Sequence, residues 1–280
     1  MIHATIGIPV YNEANYIRHT LGSALAQGAS EIIVSDNGST DGSTEICREF
    51  AQAHANVKLF TTPENKGARY NFMTCIDNAT EDLFMWLGAH DLLPEGHLAH
   101  LHACFEQSDD VVLAYTDAVH FLDDGTVKSR YSFPDKRGLT SANGLDRLLT
   151  LAQHLTDGSM VYGLIRRDLA LAAMKHEPHN PSDLFFLGSI LLHGTFRHTP
   201  ESMYVRRNPR PKENAKERIR RFKESCKLKI DVDDPSVFVR QHEFLAMAEL
   251  LKELDISIVQ KQQLKLAFAK KYLTAQHLSV

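Results

Sequence analysis

Five short apolar runs, separated by helix-length segments, fill the first 115 residues: Thr5–Val10 (TIGIPV), Glu31–Ser35 (EIIVS), Val57–Thr61 (VKLFT), Leu83–Leu87 (LFMWL) and Val111–Tyr115 (VVLAY). Runs this continuous are what strands buried on both faces look like. Between them, segments at about 15–27, 43–54, 67–79 and 95–107 carry apolar residues at helical spacing. Strand, helix and strand at these intervals mean βαβ units and a mostly parallel central sheet. Right-handed crossovers then gather the C-terminal strand ends, and any ligand, along one edge. The expected fold class is α/β, Rossmann-like.

After Ala118 the pattern loosens. Short strand candidates (118–122, 127–132, 160–165, 202–206) mix with helices near 144–154, 167–175 and 182–193, and further helical patterns follow at 236–254 and 259–273. From Arg206 to Lys229 there are eleven Lys or Arg against Glu213, Glu217 and Glu224, in a chain whose net charge is -4. The expected division is residues 1–207 as a catalytic α/β domain and 208–280 as a basic helical region. The overall acidity excludes a whole-chain nucleic-acid binder. The basic run reads first as a solvated helix face. Yet ERIRRFKESCKLKI sets Ile219, Phe222, Cys226 and Ile230 three or four residues apart among cations. That pattern also suits an anionic membrane surface, the catalytic domain, or a second subunit in a homo-oligomer. No apolar run approaches the ~18 residues that span a bilayer. The start has no signal-peptide pattern, and the cysteines at 47, 75, 104 and 226 form no CxxC pair. Reduced thiols and a cytoplasmic location are expected, with any membrane contact peripheral.

Four polar segments stand at the expected strand ends. Pro9-Val10-Tyr11-Asn12-Glu13 can wall a base. Asp36, in SDNGSTDG, can accept from a base N–H. Asn65-Lys66-Gly67-Ala68-Arg69 opens a helix and can meet phosphate. Leu87-Gly88-Ala89-His90-Asp91 ends the fourth strand in two groups able to ligate a divalent cation. No P-loop, GxGxxG or GxSxG is present, which argues against an NTPase, a dehydrogenase and a serine hydrolase. A nucleotidyltransferase would be expected to carry a Gly-rich basic loop where this chain has Tyr11-Asn12-Glu13-Ala14-Asn15.

In this order and spacing, IPVYNEANYI, VSDNGSTDGS, PENKGARYN and MWLGAHDLLPEGHL resemble the family 2 glycosyltransferases of the GT-A fold, over roughly residues 1–205. The resemblance implies transfer of a sugar, with inversion, from a nucleotide-sugar donor (UDP by default) to an acceptor hydroxyl on a glycan or lipid-linked chain. It implies a setting in bacterial polysaccharide or lipopolysaccharide assembly, at or near the inner face of the cell membrane. By resemblance, Pro9, Tyr11, Glu13 and Asp36 line the nucleoside pocket, Lys66 and Arg69 occupy the donor loop, and Ala89, His90 and Asp91 stand in the metal motif. There His90 and Asp91 would hold Mn²⁺ or Mg²⁺. The motif departs from the usual Asp-Ala-Asp-Asp by reading Gly-Ala-His-Asp. A catalytically weak nucleotide-sugar-binding module is the rival expectation. Asp157–Gly163 would form an acceptor-side strand, Asp183, opening an apolar helix, would be the general base, and TPESMYVRR from Thr199 on resembles the strand that returns after that helix, ending in arginines. Asp157, His154 and Glu177 are the alternative bases.

Other residues read more plainly. Asp41 suits a helix N-cap. Asn12 and Asn71 suit loop backbone. His97, His100 and His102 read as a solvated helix face rather than a metal cluster.

Overall fold

The computed structural model describes residues 1–176, 183–208, 214–226, 248, 250–252 and 256–275. The first half runs β1 (Ile2–Val10), α1 (Ile17–Leu25), β2 (Ala29–Asp36), α2 (Ser43–Ala53), β3 (Val57–Thr61), α3 (Ala68–Asp77), β4 (Leu83–Trp86) and α4 (His97–Gln107). The second half continues β5 (Val111–Leu122), β6 (Val127–Tyr131), α5 (Gly144–His154), β7 (Leu164–Arg166), α6 (Arg167–His176), α7 (Asp183–Leu191) and β8 (Thr195–Asn208). Two further helices follow, α8 (Ala215–Cys226) and α9 (Ile258–Ala275).

The strands form one sheet in the order β3-β2-β1-β4-β7-β5-β6, with β8 paired to β5. β3, β2, β1 and β4 are parallel, and β5 and β8 are parallel; β7 and β6 run against their neighbours. The order reverses at β1, which has β2 on one side and β4 on the other. A ligand crevice belongs at such a switch point.

Each face of the sheet carries its own apolar layer. On one side Ile6, Ile8, Val34 and Met85 pack with Ile17 and Leu21 of α1 and Leu98 and Leu101 of α4. On the other, Ile33, Phe84, Trp86 and Leu113 pack with Cys75 of α3, Leu148 and Leu151 of α5 and Leu187 of α7. Each fully buried Leu or Ile contributes about 1.5–3 kcal/mol. Gly7 lets β1 approach β4 and α3, because a Cβ there would stand 2.5 Å from the Phe84 ring. Leu250, Leu251 and Leu264 join this second layer, so the chain beyond 207 shares its core with the sheet.

At the opposite end of the strands, buried Glu31 accepts from Thr5 Oγ1 at 2.6 Å, Lys58 Nζ at 2.7 Å and the Thr80 N–H at 2.8 Å. Burial alone would raise its pKa; the bonds from Lys58, Thr5 and Thr80 prevail and hold the carboxyl below its ordinary value.

Three expectations are corrected. The segment 157–163 is not a strand: Asp157 accepts the Ser159 N–H at 2.8 Å and caps a 3₁₀ turn over Gly158–Tyr162, leaving only Leu164–Arg166 to pair. The basic run does not begin as a helix face: Arg206 and Arg207 lie near the end of the 14-residue β8, in line with the strand expected over TPESMYVRR. His97 is not solvated but 1% exposed, with Nδ1 2.8 Å from Ser202 Oγ. Much of the helical pattern at 236–254, along with the alternative base Glu177, lies outside the described residues, as do the side chains of Ile219, Phe222, Cys226 and Ile230.

Candidate active site

β1 and β2 end side by side, with Val10 opposite Asp36 and Pro9 opposite Ser35. The loops that follow are laced together. The Asn12 N–H donates to Ser39 Oγ at 2.9 Å, the Glu13 N–H to Ser43 Oγ at 2.8 Å and the Ala14 N–H to Asp41 Oδ2 at 2.9 Å. The Thr40 N–H returns a bond to Asn12 Oδ1 at 2.9 Å. Asn12 holds φ at 56°, a left-handed conformation that Asn tolerates better than most side chains. Asp41 also accepts the Ser43 N–H at the start of α2, one residue before the N-cap position of Gly42. Asp36 is 1% exposed and accepts from the hydroxyls of Ser39 and Thr44.

The loop after β3 joins this frame. Asn37 Nδ2 donates to Asn65 Oδ1 at 2.9 Å and to the Gly67 carbonyl at 3.1 Å, while the Lys66 N–H donates to Asn37 Oδ1 at 2.9 Å. Asn71 Nδ2 closes it by donating to the Val10 carbonyl at 2.9 Å. The ring of Tyr11 is half-exposed beside these loops. Lys66 Nζ sits over the Tyr70 ring, 4.8 Å from its centre. Arg69 turns away, donating to the Met174 carbonyl in the last turn of α6.

At the end of β4, the Ala89 carbonyl accepts from Thr20 Oγ1 at 3.0 Å. His90 Nδ1 is 3.0 Å from Glu13 Oε1, which ties the fourth segment to the first. Asp91 is 2% exposed; Tyr204 OH donates to its Oδ2 and the Arg207 N–H to its Oδ1, both at 2.9 Å. Burial raises the Asp91 pKa, against the pull of His90 and Arg206. Tyr204 stacks on Tyr162 with ring centres 5.0 Å apart. Arg206 lies over the Tyr162 ring at 5.4 Å, and its Nη1 is 3.4 Å from both Asp157 Oδ2 and Ser159 Oγ. Burial opposes the Arg206 charge, but Tyr162, Asp91 and Asp157 raise its pKa above the ordinary value. Asp183, the first residue of α7, sets Oδ2 against Gly158 so closely that a Cβ on Gly158 would lie 1.6 Å from it. A series of contacts therefore runs from Glu13 to His90, from His90 to Asp91, from Arg206 to Asp157, and from Gly158 to Asp183. Tyr162, Tyr204 and Arg206 stand on segments that the sequence marks as strands, without a site role of their own. Near Arg207, a cavity of about 640 Å³ is lined by Tyr16, His19, Phe121, Val205 and Arg207 among others.

The family model described as glycosyl transferase family 2 matches residues 5–171. The chain belongs to glycosyl transferase family 2. Glycosyltransferase GlyA of Streptococcus pneumoniae serotype 4 is 30% identical over 137 residues, which cover 48% of this chain and 18% of that protein. The minor teichoic acid biosynthesis protein GgaA of Bacillus subtilis strain 168 is 29% identical over 117 residues, covering 39% of this chain and 26% of that protein. The chain thus matches about a quarter or less of either relative. Among solved structures, S. aureus TarS 1-349 in complex with UDP-GlcNAc superposes with a TM-score of 0.70 at 15% identity, covering 98% of this chain and 73% of that one. That likeness shows the GT-A fold in this family 2 chain.

A divalent cation is what the resemblance to family 2 implies at Ala89-His90-Asp91. The mannosyltransferase PcManGT of Pyrobaculum calidifontis, in complex with GDP-Man and Mn²⁺, superposes with a TM-score of 0.57 at 18% identity, covering 99% of this chain and 76% of that one. The residues of this family 2 chain do not fit such an ion. Asp91 is buried, with a donor already on each oxygen. His90 Nδ1 faces Glu13, and Nε2 is 3.9 Å from Asp91 Oδ1. Position 88 offers no carboxylate, and even a methyl there would stand 2.4 Å from Asp91 Oδ2. Among the described residues no three His, Cys, Asp or Glu form a ligand set. Mn²⁺ and Mg²⁺ ask for several hard donors around one point, and the described residues present none such.

Proposed function

We propose that the chain is an inverting glycosyltransferase that moves a sugar from a nucleotide-sugar donor, UDP-linked by default, to a hydroxyl of a glycan or lipid-linked acceptor. Bacterial surface-polysaccharide assembly beside the inner face of the cell membrane is the proposed setting. GgaA, named for teichoic acid biosynthesis, supports that setting. The observation that carries the proposal is the series of contacts that leads from the laced loops, through Glu13 and His90, toward Arg206 and Asp183. In this reading Pro9, Tyr11 and Asp36 receive the nucleoside, and Glu13 holds His90 in place beside the sugar. Lys66 supplies positive charge at the donor loop. Residues 1–207 carry every group assigned to the reaction, and 208–280 brace the sheet through Leu250, Leu251 and Leu264.

Direct displacement with inversion requires a base on the face of the sugar opposite the leaving diphosphate. Asp183 takes the acceptor proton as its oxygen attacks the anomeric carbon; the nucleoside diphosphate departs with the bonding pair. The test is Asp183→Asn, which keeps the shape and removes the base. Nucleotide binding should persist while transfer falls by ~10²-fold or more. Transfer near the wild-type rate would place the base elsewhere. Wild-type chain that binds nucleotide sugar but transfers to no acceptor would favour the binding module.

A further inference from the structure

Three cations were assigned by sequence to the diphosphate, directly or through a metal, and none is positioned as a sufficient counter-charge. Arg69 is spent on the Met174 carbonyl, and the Lys66 ammonium is engaged over the Tyr70 ring. The third, a divalent ion at His90 and Asp91, lacks a ligand set. Yet a departing diphosphate needs its growing charge met by a fixed positive group in a site of low dielectric.

Resting on the glycosyltransferase reading above, we infer that the Arg206 guanidinium, and not a divalent cation, neutralises the leaving diphosphate. Four observations converge on it. Its side chain is 30% exposed, so a ligand can still reach it. Tyr162 supports its face at 5.4 Å, and Asp157 Oδ2 and Ser159 Oγ, each 3.4 Å from Nη1, fix its rotation. It belongs to the charge field of Asp91, the one carboxylate retained in the motif. It lies near Asp183, whose carboxylate rests on Gly158, next in the chain to the aspartate that holds the guanidinium.

The 3.4 Å contacts to Asp157 and Ser159 are long for charge-assisted bonds. A diphosphate oxygen offers a shorter partner, and a guanidinium can meet two such oxygens at once. Tyr204 links the two halves of the arrangement: it bonds Asp91 through its hydroxyl and stacks on the ring that supports Arg206. Asp91 thereby becomes a positioning residue. Its carboxylate fixes the Arg207 N–H and the Tyr204 hydroxyl, and so sets where β8 delivers Arg206.

Calorimetry on the full chain tests this with UDP, GDP and dTDP, each titrated in EDTA and again in Mn²⁺. At least one nucleotide should bind in EDTA, with an affinity that Mn²⁺ changes by less than about threefold. Mn²⁺ alone, followed by electron paramagnetic resonance, should show no stoichiometric site. Arg206→Gln should weaken that nucleotide about tenfold or more, with no rescue by Mn²⁺. If circular dichroism shows that this variant does not fold, Arg206→Lys serves instead; it keeps the charge, loses the fork, and should weaken binding about threefold or more. Binding that appears only with Mn²⁺, or unchanged affinity in the folded variant, overturns the inference while leaving the glycosyltransferase reading intact. Failure of all three nucleotides under both conditions overturns both.

Discussion

His97 gives the sharpest test of the packing between α4 and β8. Its ring is 1% exposed, with Nδ1 2.8 Å from Ser202 Oγ and its centre 6.2 Å from that of Tyr204. Burial, helped by repulsion from His100, pushes its pKa from 6.5 down to about 4. The unfolded chain protonates this imidazole near pH 6.5; the folded chain does so only near pH 4. Below pH 6.5 the unfolded state therefore binds more protons, and stability falls as the pH falls toward 4. At about 1.4 kcal/mol per pH unit, the full loss is about 3 kcal/mol, and about 2 kcal/mol of it comes between pH 7 and pH 5. His97→Gln keeps a polar partner for Ser202 and does not titrate in this range. Urea denaturation of both proteins across pH 7 to 4.5 isolates the effect, because every other group titrates alike in the two. The wild-type curve should fall below the variant's by about 2 kcal/mol at pH 5 relative to pH 7. Parallel curves would mean that His97 reaches water in the folded protein and that the α4–β8 contact is looser than described.

Two further substitutions probe the candidate site. Gly158→Ala would put a methyl 1.6 Å from Asp183 Oδ2, so the carboxylate must move; transfer should drop by ~10²-fold with nucleotide affinity unchanged, and an unaltered rate would detach Asp183 from the reaction. Tyr204→Phe removes the hydroxyl that donates to buried Asp91 and accepts from the Gly88 N–H at 3.2 Å; chemical denaturation should show a loss of about 1–3 kcal/mol, and wild-type stability would mean that Asp91 does not depend on it.

What the sequence revealed and what it hid follow from how locally each element is determined. β3 is read from Val57–Thr61 and α5 from 144–154 without error, because a compact apolar run or an amphipathic turn names itself. β8 was visible only from Thr199 onward. Its first half, TFRHTPES, is polar, includes Pro200, and is held by pairing with β5 across a register shift between Tyr115 and Asp117. The loops after β1 and β2 were legible as motifs, and Asn12 and Asn71 do satisfy loop backbone as read. Arg206 was legible as the end of a strand but not as part of the site. Its partners Asp157 and Ser159 lie 49 and 47 residues earlier, and its place at the head of a basic run hid it among solvated cations. His97 escaped for the same reason: its partner Ser202 is 105 residues away.

The lacing between the loops after β1 and β2 sets a rule for redesign. Four bonds cross between them, three running from backbone amides of 12–14 to side chains of 39–43 and one returning from Thr40 to Asn12. The bond from the Glu13 N–H to Ser43 Oγ is buried, and a loop exchange that leaves it unpaired costs about 1–3 kcal/mol. The other three are exposed, and water can take the place of a lost partner there at the cost of the fixed loop geometry. The two loops therefore transplant best together, as a cassette. On the proposed reading, side chains that take no part in the lacing, Tyr11 above all, are where donor preference can change one residue at a time.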